Sequence, residues 1–191
     1  MDTTTIVLIV VAVIVILYLL SVYNRFVALK NNVSEAWSNI DVLLKQRHDE
    51  VPKLVDTCKI YMTYEADTLD KVIARRNEAE HAREKGDVAA LGSAEGALNH
   101  AFSGLLARAE AYPDLKAAET FTHTMSRLST LEDTIADRRE LYNETVNINN
   151  TRRDQFPDFV VARLFGFSAA DFLEIDSHER ADVSMSALFA Q

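Results

Sequence analysis

The chain has 191 residues, 48% of them hydrophobic, which is enough for one membrane segment and one folded domain with its own core and leaves little room for a second full domain. With only 5 Gly and 3 Pro it lacks the regular turn residues of a β-sandwich or barrel, and its formal net charge of −9 lacks the positive field that holds nucleic acid. The single cysteine, Cys58, excludes an intramolecular disulfide and any paired-cysteine zinc motif.

The first element is the run Ile6 to Leu20, IVLIVVAVIVILYLL, which has neither charge nor helix breaker and is extended by Ser21, Val22 and Tyr23. Roughly 18 residues at about 1.5 Å each cover ~27 Å, close to the hydrocarbon core of a bilayer. A core helix could be equally apolar, but the length favours a transmembrane helix. A cleaved signal peptide would want basic residues ahead of the run and a small-x-small site after it, yet only Met1, Asp2 and three Thr precede it, so residues 1–23 are expected to form an uncleaved signal anchor. Arg25, Lys30, Lys45 and Arg47 all follow the span, which predicts a single-pass protein with its N-terminus outside and its C-terminal part in the cytoplasm.

The second element begins at Phe26. Steps of four and three give Phe26, Lys30, Val33, Trp37, Ile40, Leu44, Arg47, Val51, Leu54, Cys58, Tyr61, Glu65, Thr68 and Val72, a mostly apolar coiled-coil-like heptad seam on one long helix. Pro52 interrupts it by removing one backbone donor and pressing on the carbonyl of His48, which predicts a kink or short break with Asp49 available to cap a restarted helix.

Gly86 and Asp87 end this pattern. A second helix follows with Val88, Leu91, Glu95, Leu98, Phe102, Leu105, Ala109 and Tyr112 on its seam, and it stops at Pro113. Gly92 and Gly96 inside it form a G-x-x-x-G pair. Glu95 and His100 argue against a membrane span there, so the glycines are read as permitting close helix-to-helix approach in the bundle. A third helix carries Phe121, Met125, Leu128, Leu131, Ile135, Tyr142 and Val146. It fades into NINNTRRD before Phe156-Pro157.

The stretch FPDFVVARLFGFSAADFLEI contains Phe156 and Phe165, and its Gly166 and Ser168 read as a helix stop and a new cap. It predicts two short amphipathic helices. The expected architecture is therefore all-α: an N-terminal transmembrane helix, then over residues 24–175 a long antiparallel up-and-down bundle of three long helices, the first kinked near Pro52, with short C-terminal helices. The tail 176–191 could dock, bind a neighbour or stay loose.

Three stretches resemble the LemA family: YNRFVALKNNVSEAWSNIDVLLKQRHDEVPKLVDTCKIY at 23–61, EAYPDLKAAETF at 110–121 and LYNETVNINNTRRDQFPDFVVARLFGF at 141–167. The most specific pieces are Ala36-Trp37, Ile40-Asp41-Val42, Arg47-His48-Asp49 with Pro52, the run from Glu110 through Tyr112 and Pro113 to Ala117, and Tyr142-Asn143. Leu43 stands where the family more often has Gln, and Glu50 replaces an apolar residue before Val51-Pro52. The resemblance implies a bacterial membrane-anchored helical bundle and brings no catalytic residues or cofactor with it.

Charges on the apolar seams must be paired or reach water. Arg47, Glu65, Glu95, Glu132 and Arg139 are such charges. One reading has them as interhelical ion pairs that fix register. The other gathers Glu65, Glu95 and Glu132 as a carboxylate cluster for a metal-dependent sensor or enzyme, although the paired Glu-x-x-His motifs of di-metal bundles are missing. The five histidines lack ligand spacing and are expected at solvated or capping positions. No nucleophile elbow, Walker loop or dinucleotide loop occurs.

These readings favour a noncatalytic scaffold or adaptor without cofactor in the bacterial cytoplasmic (inner) membrane. Its partners would be the lipid bilayer, copies of itself as a homo-oligomer, or other membrane proteins, with Trp37 and the Phe-rich segment as candidate contacts. A membrane-shaping protein using that segment at the bilayer surface is the alternative.

Overall fold

In the computed structural model, which describes residues 2–175, the chain is all-α as expected. The helices are α1 (Thr3–Tyr61), α2 (Ala66–Lys85), α3 (Val88–Ala109), α4 (Pro113–Ala117), α5 (Glu119–Asp154) and α6 (Asp158–Phe165), with no strand among the described residues. The tail from residue 176, and with it every expectation about that segment, lies outside the described residues. The chain forms two compact units. Of the described residues, one gathers 2–41 with Ala136–Phe172, and the other gathers Val42–Ile135 with residues 173–175.

In the second unit the seams meet as their periodicity requires. Leu54, Leu98 and Leu105 are fully buried, with Val72 of α2 and Leu128 of α5 in the same cluster. Truncating a leucine in such a place costs about 2–5 kcal/mol. The single long helix expected over 26–72 is divided, however. Residues 62–65 form a turn in which the Glu65 amide donates to the Met62 carbonyl at 3.1 Å, and α2 starts afresh after it. Met62 turns into the core while Tyr61 stays exposed, so burial of Met62 outweighs continuation of the seam. Among the described residues there are accordingly four long helices instead of three. The next boundary follows local chemistry: Gly86 ends α2 at φ 68°, and the Asp87 side chain accepts the Ala90 amide to start α3.

Pro52 does not break α1, which the sequence left open to a break. The His48 carbonyl, deprived of its donor at Pro52, accepts instead from Nε of Arg76 on α2 at 3.0 Å. A tertiary hydrogen bond thus replaces the lost helical one. Asp49 is exposed in mid-helix and caps nothing.

In the first unit Val22 and Phe26 of α1 pack against Val161 and Ala162 of α6, with Leu19, Leu29 and Phe167 around them. Trp37 meets Tyr142 of α5, their ring centroids 5.5 Å apart. Gly166 ends α6 at φ 71°, as its sequence position suggests, but the second short helix does not form. The Asn150 side chain holds the backbone of Ala170 from both sides, donating to its carbonyl and accepting its amide, each at 2.9 Å. The Tyr142 hydroxyl donates to the Asp171 carbonyl at 2.9 Å. These bonds occupy backbone groups that a helix would need for itself, so residues 167–175 form a non-helical strap.

In the second unit Gly92 is where that strap comes close. A Cβ at Gly92 would collide with the backbone carbonyl of Glu174, so the glycine serves a helix-to-strap approach and not the helix-to-helix approach expected. Gly104 of the same helix has open space around it. Gly92→Ala is expected to destabilise the full-length protein by about 1–3 kcal/mol through overpacking, and Gly104→Ala to stabilise it by about 0.5–1 kcal/mol. Circular-dichroism melts in detergent distinguish the two, and equal effects would contradict the close approach.

Candidate functional site

The second unit buries a polar cluster built on Arg47 and His48, consecutive residues of α1 that are 1% and 0% exposed. Arg47 Nη2 pairs with Glu95 of α3, which is itself fully buried. Arg47 Nη1 donates to Glu132 Oε1 of α5 at 3.1 Å and to Asn99 Oδ1 of α3 at 3.2 Å. Glu132 is 38% exposed at its side chain, so this arm of the network reaches water. One guanidinium therefore ties three helices together. A buried charge is tolerable only with such partners. Burial pulls the Arg47 pKa below its ordinary value, opposed by Glu132, but an arginine remains charged in a protein.

His48 places Nε2 3.0 Å from Glu95 Oε1 and Nδ1 2.5 Å from Glu80 Oε2 of α2. Arg83 donates to the same carboxylate, its Nη2 2.8 Å from Glu80 Oε1. A neutral imidazole donates through one nitrogen only, so His48 donates to both carboxylates only when it is protonated. Burial, with Arg47 in support, pulls the His48 pKa below its ordinary 6.5, against the pull of Glu80. The hydrogen bond from Arg83 is the largest cause that takes Glu80 down to about 2. Nearby, the buried carboxylate of Glu50 is neutralised by Lys53 at 2.9 Å and by Arg127 of α5 at 2.8 Å. The acid that departs from the LemA pattern thus has its own partners.

The carboxylate cluster anticipated for a metal is not assembled. Glu65 pairs instead with Arg108 and accepts from the Thr68 hydroxyl, while Glu95 and Glu132 converge on Arg47. Among the described residues no group of three or more His, Cys, Asp or Glu is placed to hold a metal. Cys58 is buried and its thiol is pushed up to about 11, which disfavours the reactive thiolate. What the cluster does, on this geometry, is cross-link helices.

The LemA family model matches residues 36–186, most of the chain. The chain belongs to the LemA family. A magnetosome protein, MamQ 2, of Paramagnetospirillum magneticum is 26% identical over 82% of this chain and 66% of its own length. The MamQ of Magnetospirillum gryphiswaldense is 25% identical, over 81% of this chain and 65% of its own length. The protein LemA of Metamycoplasma hominis is 27% identical, over 86% and 74%. The chain thus spans about two thirds of the length of the MamQ relatives.

The residues singled out in the sequence fall in separate places. Arg47 and Glu132 meet, with Pro52 half-buried one turn beyond His48. Tyr112 packs half-buried against the core, Pro113 opens α4, and Glu110 is exposed beside them. Trp37 and Tyr142 meet each other in the first unit, where Asp41 is half-buried, Phe165 lies edge-on to Tyr23 at 5.0 Å, and Phe156 is open to its surroundings. Trp37, proposed as a contact for another molecule, thus spends part of its surface on Tyr142.

Sequence reasoning missed His48, Glu80, Arg76 and Arg127. The histidine was assigned to solvent or a cap and is fully buried. Its neighbour Arg47 on the seam was the available signal, because a helix that buries one charge of an Arg-His pair turns the other by only about 100°. Nothing marked Glu80 within RRNEAEHAREK, where only two alanines break a run of polar residues.

Glu95→Gln is expected to cost about 3 kcal/mol, because it takes away the fully buried charge partner of Arg47 and leaves only the partly exposed Glu132, whereas Arg47→Met combined with Glu95→Leu recovers most of that loss. Denaturant titration of the three proteins measures both effects. Acid acts through two groups. His48, with its pKa lowered on folding, withdraws stability as pH falls below 6.5. Glu80 contributes stability that is complete above its ordinary 4.5 and lost as pH falls toward about 2. Thermal melts against pH are expected to show the upper part of this decline flattened in His48→Gln and the lower part in Glu80→Gln.

Proposed function

We propose that this chain is a membrane-anchored, noncatalytic helical scaffold of the LemA type, binding copies of itself or another membrane protein. The observation that carries the reading is α1. It is a single helix of 59 residues whose first third is long and apolar enough to cross a membrane and is almost wholly exposed, and whose last third supplies Arg47, His48 and core residues to a packed unit. Within the first unit the same helix carries Val22 and Phe26, on which Val161 and Ala162 of α6 pack directly beyond the apolar run.

The polar cluster supports the noncatalytic part of this reading, since Arg47, His48, Glu80 and Glu95 are occupied with one another. The basic residues that follow the span favour the bacterial cytoplasmic membrane with the N-terminus outside and the helical part in the cytoplasm. For self-association the favoured surface is on α5, where Leu141 and Ile148 are 48% and 47% exposed and stand seven residues apart, on one side of the helix.

Light scattering on the detergent-solubilised full-length protein, corrected for bound detergent, is expected to give a discrete oligomer, and Leu141→Asp with Ile148→Asp to reduce it to a monomer. A wild-type monomer at every concentration would redirect the search to a heterologous membrane partner.

A further inference from the structure

The α6 helix is apolar on two sides, and only one of them is covered. Val161 and Ala162 are 1% and 2% exposed against α1, while Phe159, Val160 and Leu164 are 39%, 48% and 71% exposed, and Phe156 just before the helix is 82% exposed. At about 100° per residue Phe159, Val160, Arg163 and Leu164 share one face of about 140°, and Phe156 stands open just ahead of it. A short helix that shows such a face to water gains nothing from it.

Its position along α1 says what covers it. The Tyr18 hydroxyl, inside the apolar run, donates to Asp158 Oδ1 at 3.2 Å, whereas Phe165 and Phe167 lie on Tyr23 at ring separations of 5.0 and 5.7 Å. The beginning of α6 is therefore level with the apolar span and its end level with the span's exit. Tyr18 is five residues short of Tyr23, about 7.5 Å along the helix, which falls within the ~5–10 Å to which interfacial helices sink into a bilayer. The carboxylate carried to that depth is not bare, because Arg152 Nη1 donates to Asp158 Oδ2 at 3.0 Å. Arg25 and Arg163 are exposed, pair with no carboxylate among the described residues, and have the reach to meet lipid phosphates.

We propose that Phe156 and the open face of α6 insert into the bilayer interface beside the anchor, as a second membrane contact made by the end of α5 and the start of α6. The occupant of the face is phospholipid of the membrane that α1 spans. The inference rests on the anchor reading of α1, and the experiment separates the two.

Full-length protein with Trp37→Phe as background would carry a single reporter, Phe156→Trp or Val13→Trp, in vesicles of phosphatidylglycerol and phosphatidylcholine containing acyl-chain spin-labelled quencher lipid. The baseline is the wild-type chain, whose Trp37 lies 14 residues beyond Tyr23 on α1. Both reporters are expected to be quenched at least about twofold more than Trp37, with that at 156 most sensitive to quenchers near the headgroups. Quenching at 13 but only baseline quenching at 156 overturns the interfacial contact and leaves the anchor. Baseline quenching at both positions overturns the anchor and this proposal together. A reporter at 156 in apolar but unquenched surroundings that reverts on dilution in lipid would assign the face to a second copy and also overturn the proposal.

Discussion

Burial of the Arg47 charge is the constraint on which the second unit depends. A guanidinium 1% exposed inside a helical core would be ruinous if left alone, and its needs dictate that α3 supply Glu95 and Asn99 and that α5 supply Glu132. Leucine seams hold helices together but tolerate sliding by a heptad. A planar donor group with carboxylates on two helices does not, because displacement along an axis would strand a charge.

The adjoining His48 extends the same logic to α2. Its ring reaches Glu80, and its carbonyl, freed by Pro52, accepts from Arg76. A proline within a helix ordinarily leaves an unsatisfied carbonyl that bends the chain or calls in water. Here α2 supplies the donor, so the residue that weakens α1 internally also determines where α2 sits on it. Glu50 is handled in the same way by Arg127 of α5. Each local liability of the α1 segment is met by a partner on another helix.

The first unit works by other means. Aromatic contacts join Tyr23 and Phe26 of α1 to the residues around Gly166, and the side chains of Tyr142 and Asn150 hold the following strap by its backbone. Apolar area left open on α6 lies at the level where α1 leaves its apolar run. Of the two units, this is the one whose surface chemistry suits a boundary between lipid and water.

Periodicity and composition by themselves determined the all-α class, the apolar span, most of the buried seam positions, the Gly86-Asp87 boundary and the stop at Gly166, because each follows from side chains acting on their own stretch of backbone. They also placed Arg47, Glu95 and Glu132 on inward-facing positions. Only the tertiary structure decided which carboxylates Arg47 uses, that Glu65 belongs with Arg108 instead, and that His48 is buried. Such pairings join residues 32 to 85 positions apart, a separation over which periodicity carries no information. The turn at 62–65 and the strap after Gly166 escaped for a related reason. Neither carries a decisive local signal, and each is imposed by a distant partner, the core that takes Met62 and the Asn150 amide that takes the backbone of Ala170.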